Sequence, residues 1–228
     1  DPVYHGARKA FDAAGLACVP VPLDAQGMQV ARLVDMAQPG KAVYLTPSHQ
    51  FPTGTTLALD RRLAVIEWAR QHRAWIIEDD YDSEFHYAGR PTACVQGLDA
   101  HDRTIYIGTF TKSLFPGLRI AYMVLPSQLV APMTVARTLM DGHSASIPQL
   151  TLARFMEGGH FGAHVRAMRG VYADRLDALV RLVRKHLADF EEFGRVRFEI
   201  APFETAGGAQ RREVAILNEE HATLLLTY

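Results

Sequence analysis

Three stretches of this 228-residue sequence carry residue types that can do chemistry. In Ile105–Tyr122 (IYIGTFTKSLFPGLRIAY) an apolar run ends at Gly108. Hydroxyls follow at Thr109 and Thr111, then the amine of Lys112, a Pro116-Gly117 turn and Arg119. A lysine at a strand end among small hydroxyl residues can be partly desolvated. Desolvation disfavours the ammonium and makes the amine a nucleophile towards a carbonyl. Hydroxyls with one arginine nearby form a seat for a phosphate. A surface lysine beside an ordinary turn has the same composition, and this stretch alone does not separate the two readings.

The second stretch, Trp75–Tyr87 (WIIEDDYDSEFHY), gathers Glu78, Asp79, Asp80, Asp82 and Glu84. Burying such charges unpaired is costly or shifts their pKa values. At least one is expected to be held for a purpose, with the rest facing water. A divalent metal is one partner for such acids. A protonated ring nitrogen is another, and a solvated acidic loop is the third reading. Spacing does not choose among them, although the glycine pattern of a calcium-binding loop is missing. The third stretch, Tyr44–Thr56 (YLTPSHQFPTGTT), is broken by two prolines and a glycine into an irregular loop at a strand end. His49 and Gln50 can donate hydrogen bonds from it, and a purely structural turn reads the same way. His160 and His164 have zinc-compatible spacing, but no glutamate follows the first histidine as in HExxH, so no metal site is expected.

These residues need a scaffold, and the composition supplies one. With 48% hydrophobic residues and a net charge of −1, the chain is neither disordered nor basic enough to grip nucleic acid by itself. No apolar run approaches the ~18 residues of a membrane span. Cys18 and Cys94 are far apart and form no CxxC, which predicts two buried or half-buried thiols in a reducing cytoplasm. The chain opens on Asp1 with residues that read as the middle of a folded domain, so a fragment is expected.

Short apolar runs at Ala17–Asp24, Ala42–Pro47, Ala74–Asp80, Arg103–Phe110, Arg119–Pro126 and Arg195–Ala201 predict strands, the first an edge because of its prolines. Helices are predicted over residues 57–72, with Leu59, Leu63, Ile66 and Ala69 on one side, and over Ser127–Met140 behind Pro126. The strongest helix runs from Phe161 to Leu187. Phe161, Val165, Met168, Tyr172, Leu176, Leu179, Val183 and Leu187 recur along it with the period of one buried face. Met123, Met133, Met140, Met156 and Met168 read as core filler, and Trp68 and Trp75 as packing residues. Strands alternating with helices predict a mostly parallel sheet, whose ligands gather beyond the carboxyl ends of the strands. Asp79–Asp82 and Thr109–Lys112 fall at two such ends.

TPSHQFPTG, IIEDDYDSEFHYAGRP and GTFTKSLFPGLRIAYMVLP, in this order, resemble the pyridoxal-phosphate domain of the MocR/PdxR-type regulators of the GntR class. That domain shares the fold of class I/II aminotransferases, fold type I. The opening GARKAFDAAGLACVPVPLDAQGM is similar too, and the resemblance spans about residues 1–190. It implies an α/β fold of three α/β/α layers with a mostly parallel sheet. Residues 1–140 would form part of the large cofactor-binding domain. Residues 141–204 would form a long helix and the start of a small α+β domain, and 205–228 an atypical tail.

The resemblance also implies roles. Lys112 would join pyridoxal 5'-phosphate through an imine, and Asp79 would pair with the protonated pyridine nitrogen. Tyr81 would hydrogen-bond the ring hydroxyl, with His49 or Gln50 near the same oxygen. Thr109, Thr111 and Arg119 would help hold the phosphate. A small-molecule amine or amino acid is the implied ligand, and a homodimer the implied assembly. DNA would be reached only through an N-terminal winged-helix domain, which lies outside this chain. A fragment of a free-standing class I/II aminotransferase is the alternative, and an acidic-loop metal-binding protein a weaker one.

Overall fold

The computed structural model describes residues 1–85, 92–186, 197–201, 213–217 and 224–227. In chain order the elements begin with α1 (His5–Ala13), β1 (Leu23–Asp24), β2 (Gly27–Met28), α2 (Val30–Val34), β3 (Ala42–Leu45) and α3 (Leu59–His72). Next come β4 (Trp75–Asp80), α4 (Val95–Leu98), β5 (Thr104–Thr109), β6 (Ala121–Val124), α5 (Ser127–Asp141) and α6 (Ser146–Glu157). The chain continues through α7 (His160–His186), β7 (Arg197–Ala201), β8 (Glu213–Leu217) and β9 (Leu224–Thr227). Two compact units result. One holds Asp1, Val19–Gln50 and Thr55–Arg166, and the other holds Pro2–Cys18, Phe51–Gly54 and Ala167–Tyr228.

The first unit is built on a sheet of order β3-β4-β5-β6. β3, β4 and β5 run parallel, and β6 closes the order antiparallel to β5. Side chains alternate between the two faces of a strand. Val43 and Leu45 of β3 and Ile76, Glu78 and Asp80 of β4 therefore share the buried face. Tyr44, Ile77 and Asp79 point to the other. The buried face packs with α3 and α4 into a core that includes Val43, Leu45, Val65, Ile66, Trp68, Ala69, Ile76 and Val95. Each such large aliphatic side chain contributes about 1.5–3 kcal/mol when fully buried.

The helix predicted over 57–72 is α3, but its buried line is Arg62, Val65, Ile66, Trp68 and Ala69. Leu59 and Leu63 are half exposed instead. The two lines share Ile66 and Ala69, and the rotation places the Arg62 guanidinium where backbone carbonyls need donors. Arg73 ends α3 in the left-handed region, at φ 51°. Ala74 N–H then closes back on the Ala69 carbonyl at 2.9 Å and starts β4.

Other expectations shift at the edges. Of Ala17–Asp24 only Leu23–Asp24 is a strand, paired with Gly27–Met28. Pro20 and Pro22 have no N–H to give a longer ladder. None of the five methionines read as core filler is buried. Met123, Met140 and Met156 are exposed because β6 and α5 bury no residue in this chain and α6 buries only Leu152. Trp68 is buried, and Trp75 lies under the Arg103 guanidinium at 5.1 Å.

The sequence pattern does not predict α1, α2, β2, α4, α6, β8 or β9. Cys18 is exposed and Cys94 half-buried, so the expected burial fails at Cys18. Ser127 opens α5 by donating its N–H and hydroxyl to Asp102 Oδ2 at 3.0 and 2.8 Å.

The second unit contains α1, most of α7, and an antiparallel sheet of order β7-β8-β9. Along α7, Val165 is buried, and Phe161, Met168, Tyr172, Leu176, Leu179 and Val183 are half-buried. Leu187, Arg195 and Val196 lie outside the described residues, as does most of the tail beyond residue 203. Among the described residues, no helix is long and apolar enough to cross a membrane.

Candidate functional site

Parallel strands place their carboxyl ends at one edge, and the chemistry-bearing residues leave the sheet there. The loop after β3 carries His49 and Gln50. Asp79 lies near the end of β4, with Tyr81 just beyond it. Thr109 ends β5, and Thr111 and Lys112 follow in the next turn. β6 returns antiparallel from the same edge, so Arg119 stands there too, with Thr109 facing Ala121 across the pair. All eight residues singled out in the sequence therefore belong to one edge of one sheet.

Asp79 is opposite Ile107 of β5 in register. Its Oδ2 accepts the phenol O–H of Tyr44 at 2.5 Å. Burial pushes the Asp79 carboxyl above the ordinary carboxylate range. The Tyr44 hydrogen bond opposes that rise, while the charges of Asp80 and Asp82 add to it. One turn further, His49 Nδ1 lies 2.7 Å from Asp82 Oδ2. The His49 and Tyr81 rings are nearly parallel, 14° apart in plane with centroids at 6.3 Å. Gln50 is buried, and its backbone N–H donates to the Thr55 carbonyl at 2.9 Å, fastening the loop.

The acids next to Asp79 have other tasks. Glu78 is fully buried, and its two oxygens accept the Val95 and Gln96 backbone N–H groups at 2.8 and 2.7 Å, capping α4. Burial raises its carboxyl, and these two donors counter the rise. Asp80, on the same face, accepts the Tyr106 hydroxyl at 2.8 Å. Burial first, then this acceptor, holds the Tyr106 phenol well above its usual range. Tyr122 covers that face so closely that a Cβ at Gly108 would overlap its ring.

Glu78 and Asp80 are buried, and Asp79, Asp82 and Glu84 are half-buried, which corrects the expectation that all but those held for a purpose face water. Among the described residues, no group of three or more His, Cys, Asp or Glu side chains is arranged to hold a metal ion. The acidic-loop metal reading finds no donor set here.

Lys112 is half-buried in the turn after β5. Thr109 Oγ1 accepts the Thr111 N–H at 3.1 Å and lies 2.9 Å from Thr111 Oγ1, so the two hydroxyls face each other. Ser113, next to Lys112, is buried, and its hydroxyl has no hydrogen-bond partner among the described residues. Arg119 is exposed in the left-handed region, at φ 51°. A half-shielded carboxylate, a primary amine, unsatisfied or mutually paired hydroxyls and a guanidinium make a donor set that fits a cationic ring bearing a phosphate. Sequence reasoning missed Tyr44, Ser113, Arg62, the contact of Asp82 with His49 and the capping role of Glu78. Tyr44 left one signal, a hydroxyl-bearing residue alternating with Val43 and Leu45.

Comparison with known proteins agrees with this architecture. The family model for aminotransferase class I and II matches residues 1–199. The chain is 41% identical over 189 residues to the HTH-type transcriptional regulator YdeL of Bacillus subtilis, covering 83% of this chain and 40% of that protein. It is 40% identical over 191 residues to the probable rhizopine catabolism regulatory protein MocR of Rhizobium meliloti, covering 83% and 38%.

The kynurenine aminotransferase of Pyrococcus horikoshii, solved with PMP, superposes with a TM-score of 0.76 at 30% identity, covering 94% of this chain and 52% of that one. Aromatic-amino-acid aminotransferase 1 of Thermococcus litoralis is 30% identical over 195 residues, covering 82% of this chain and 47% of that protein. The chain thus spans about 40% of the length of the regulators it matches. On the match of its first 199 residues, it belongs to the class I and II aminotransferase family.

Proposed function

We propose that this chain is the pyridoxal-phosphate-binding, amine-sensing part of a MocR/PdxR-type transcriptional regulator. The observation that carries the reading is the placement of Asp79 and Lys112 at the carboxyl edge of adjacent parallel strands. When bound, pyridoxal phosphate supplies a carbonyl that condenses with amines and a ring that withdraws electrons.

The chain's own residues then divide the work. Lys112 would be the amine that holds the carbonyl group, and it could carry a proton. Asp79 would accept from the ring nitrogen and favour its protonated form. Tyr81 would donate to the ring hydroxyl, with its ring beside that of His49, which Asp82 holds. Gln50 fastens the loop that carries His49. Thr109, Thr111 and Arg119 offer two hydroxyls and a guanidinium to the phosphate.

Residues 1–140 serve as part of the cofactor-binding domain, and 141–204 as the long helix and the start of a small domain, with 205–228 a tail. The working assembly is a cytoplasmic homodimer. DNA contact belongs to a helix-turn-helix segment outside these residues, as in the HTH-type relatives. Amine binding would bias that segment through a domain movement.

Borohydride reduction of the protein with pyridoxal phosphate, followed by peptide mapping, tests the site. The label is expected on Lys112. The chain has three other lysines, Lys9, Lys41 and Lys185, and a label on any of them overturns the assignment. The likeness to two free-standing aminotransferases favours a second reading, a piece of such an enzyme. Sustained amino transfer from an amino acid to a 2-oxo acid, with no effect of amines on DNA affinity, selects it.

A further inference from the structure

Asp79 accepts one hydrogen bond among the described residues, and its donor is a side chain that no motif singled out. Tyr44 lies on β3, opposite Ile77 of β4. Asp79 stands two residues beyond Ile77 and so points to the same face. The phenol reaches along the strand to Asp79 Oδ2 and leaves Oδ1 outside this contact. We propose that Tyr44 is a positioning residue for Asp79: it holds Oδ2, leaves Oδ1 for a ring N–H, and keeps the carboxylate the weaker base of that pair. This rests on the cofactor reading given above.

The physical need is visible around the carboxylate. Asp80, and Asp82 in the following turn, place negative charge beside it. From β5 the register neighbour is the apolar Ile107, and Lys112 is the charged group in the turn beyond. Burial and like charge both make a carboxylate more basic, and a more basic carboxylate draws the shared proton off a ring nitrogen. A donated phenol hydrogen stabilises the charged carboxylate and works in the opposite direction. Tyr44 is the donor that does so here.

The test compares the intact protein with Tyr44→Phe, which removes one oxygen, and Ile77→Val, a change on the same face without a polar atom. Carbon-13 carboxyl NMR without cofactor follows Asp79, identified by loss of its resonance in Asp79→Asn. Its titration midpoint is expected to rise on the order of one pH unit in Tyr44→Phe and to stay put in Ile77→Val. An unchanged midpoint in Tyr44→Phe, or an equal rise in both variants, overturns the proposal.

With ring-nitrogen-15 pyridoxal phosphate bound, the nitrogen resonance should move towards its unprotonated position in Tyr44→Phe alone. A shifted carboxyl midpoint with an unmoved nitrogen resonance overturns the role towards the cofactor. If the unaltered protein does not retain pyridoxal phosphate, the cofactor reading fails, while the carboxyl titration still decides the Tyr44–Asp79 coupling.

Discussion

Glu78 accepts the Val95 N–H at 2.8 Å, so a carboxylate inside β4 caps a helix that begins after the next loop. The Gln96 N–H meets its second oxygen at 2.7 Å. This fixes the start of α4 against the sheet, next to the strand end that carries Asp79.

Replacing Glu78 should change the pH dependence of stability. Its folded-state pKa lies above the ordinary value of 4.5, chiefly through burial. The native state therefore binds the extra proton, so this group favours folding as pH falls from its folded pKa towards 4.5 and disfavours it as pH rises through that range. Glu78→Gln removes this slope but keeps an acceptor oxygen. Urea unfolding between about pH 5 and about pH 8 is expected to show wild-type stability declining more with pH than that of the variant. Parallel curves would show that Glu78 does not titrate there.

Arg62 is fully buried and donates to the carbonyls of Leu57, Ala93 and Pro47 at 2.9, 2.9 and 2.7 Å. Both ends of the loop bearing His49 and Gln50 hang on it, as does the approach to α4. Arg62→Ala should destabilise by on the order of 3 kcal/mol or more, since it leaves buried carbonyls unpaired. Arg62→Lys should recover only part of this, because one ammonium cannot span a planar fork. Denaturant midpoints at constant slope measure both.

Gly108 leaves room for the ring of its neighbour. A Cβ there overlaps the Tyr122 ring across the β5–β6 pair. Gly108→Ala should cost up to about 1 kcal/mol, below the overpacking cost of a closed core, because the Tyr122 ring is part exposed and has room to shift. Gly108→Ala combined with Tyr122→Leu should be more stable than the two separate losses added together, a non-additivity that thermal unfolding can read.

Asp79→Asn tests the proposed cofactor contact directly. An amide cannot supply the charged acceptor, and a hydrogen bond to a charged group is worth about 1.5–3 kcal/mol. Equilibrium dialysis of pyridoxal phosphate is expected to show binding weakened by about tenfold or more, with folding intact by circular dichroism. Unchanged retention would remove Asp79 from the site.

Much of this arrangement is written locally. The alternation of β4, the apolar register of β3 and the hydroxyl–lysine stretch after β5 follow from residue order, because strand period and turn chemistry act over a few residues. The motifs placed Lys112, Asp79, Tyr81, His49, Gln50, Thr109, Thr111 and Arg119 at strand ends without coordinates.

What residue order could not decide was which partner each polar group would find. Tyr44 and Asp79 are 35 positions apart, and Arg62 meets Ala93 across 31. Such pairs depend on strand order and on the rotation of a helix about its own axis. The rotation of α3 put Arg62 inside and left Leu59 and Leu63 outside. Both lines offer four apolar side chains, so the apolar count does not separate them; the buried backbone carbonyls that Arg62 satisfies do, and only the assembled sheet and its loops set those carbonyls.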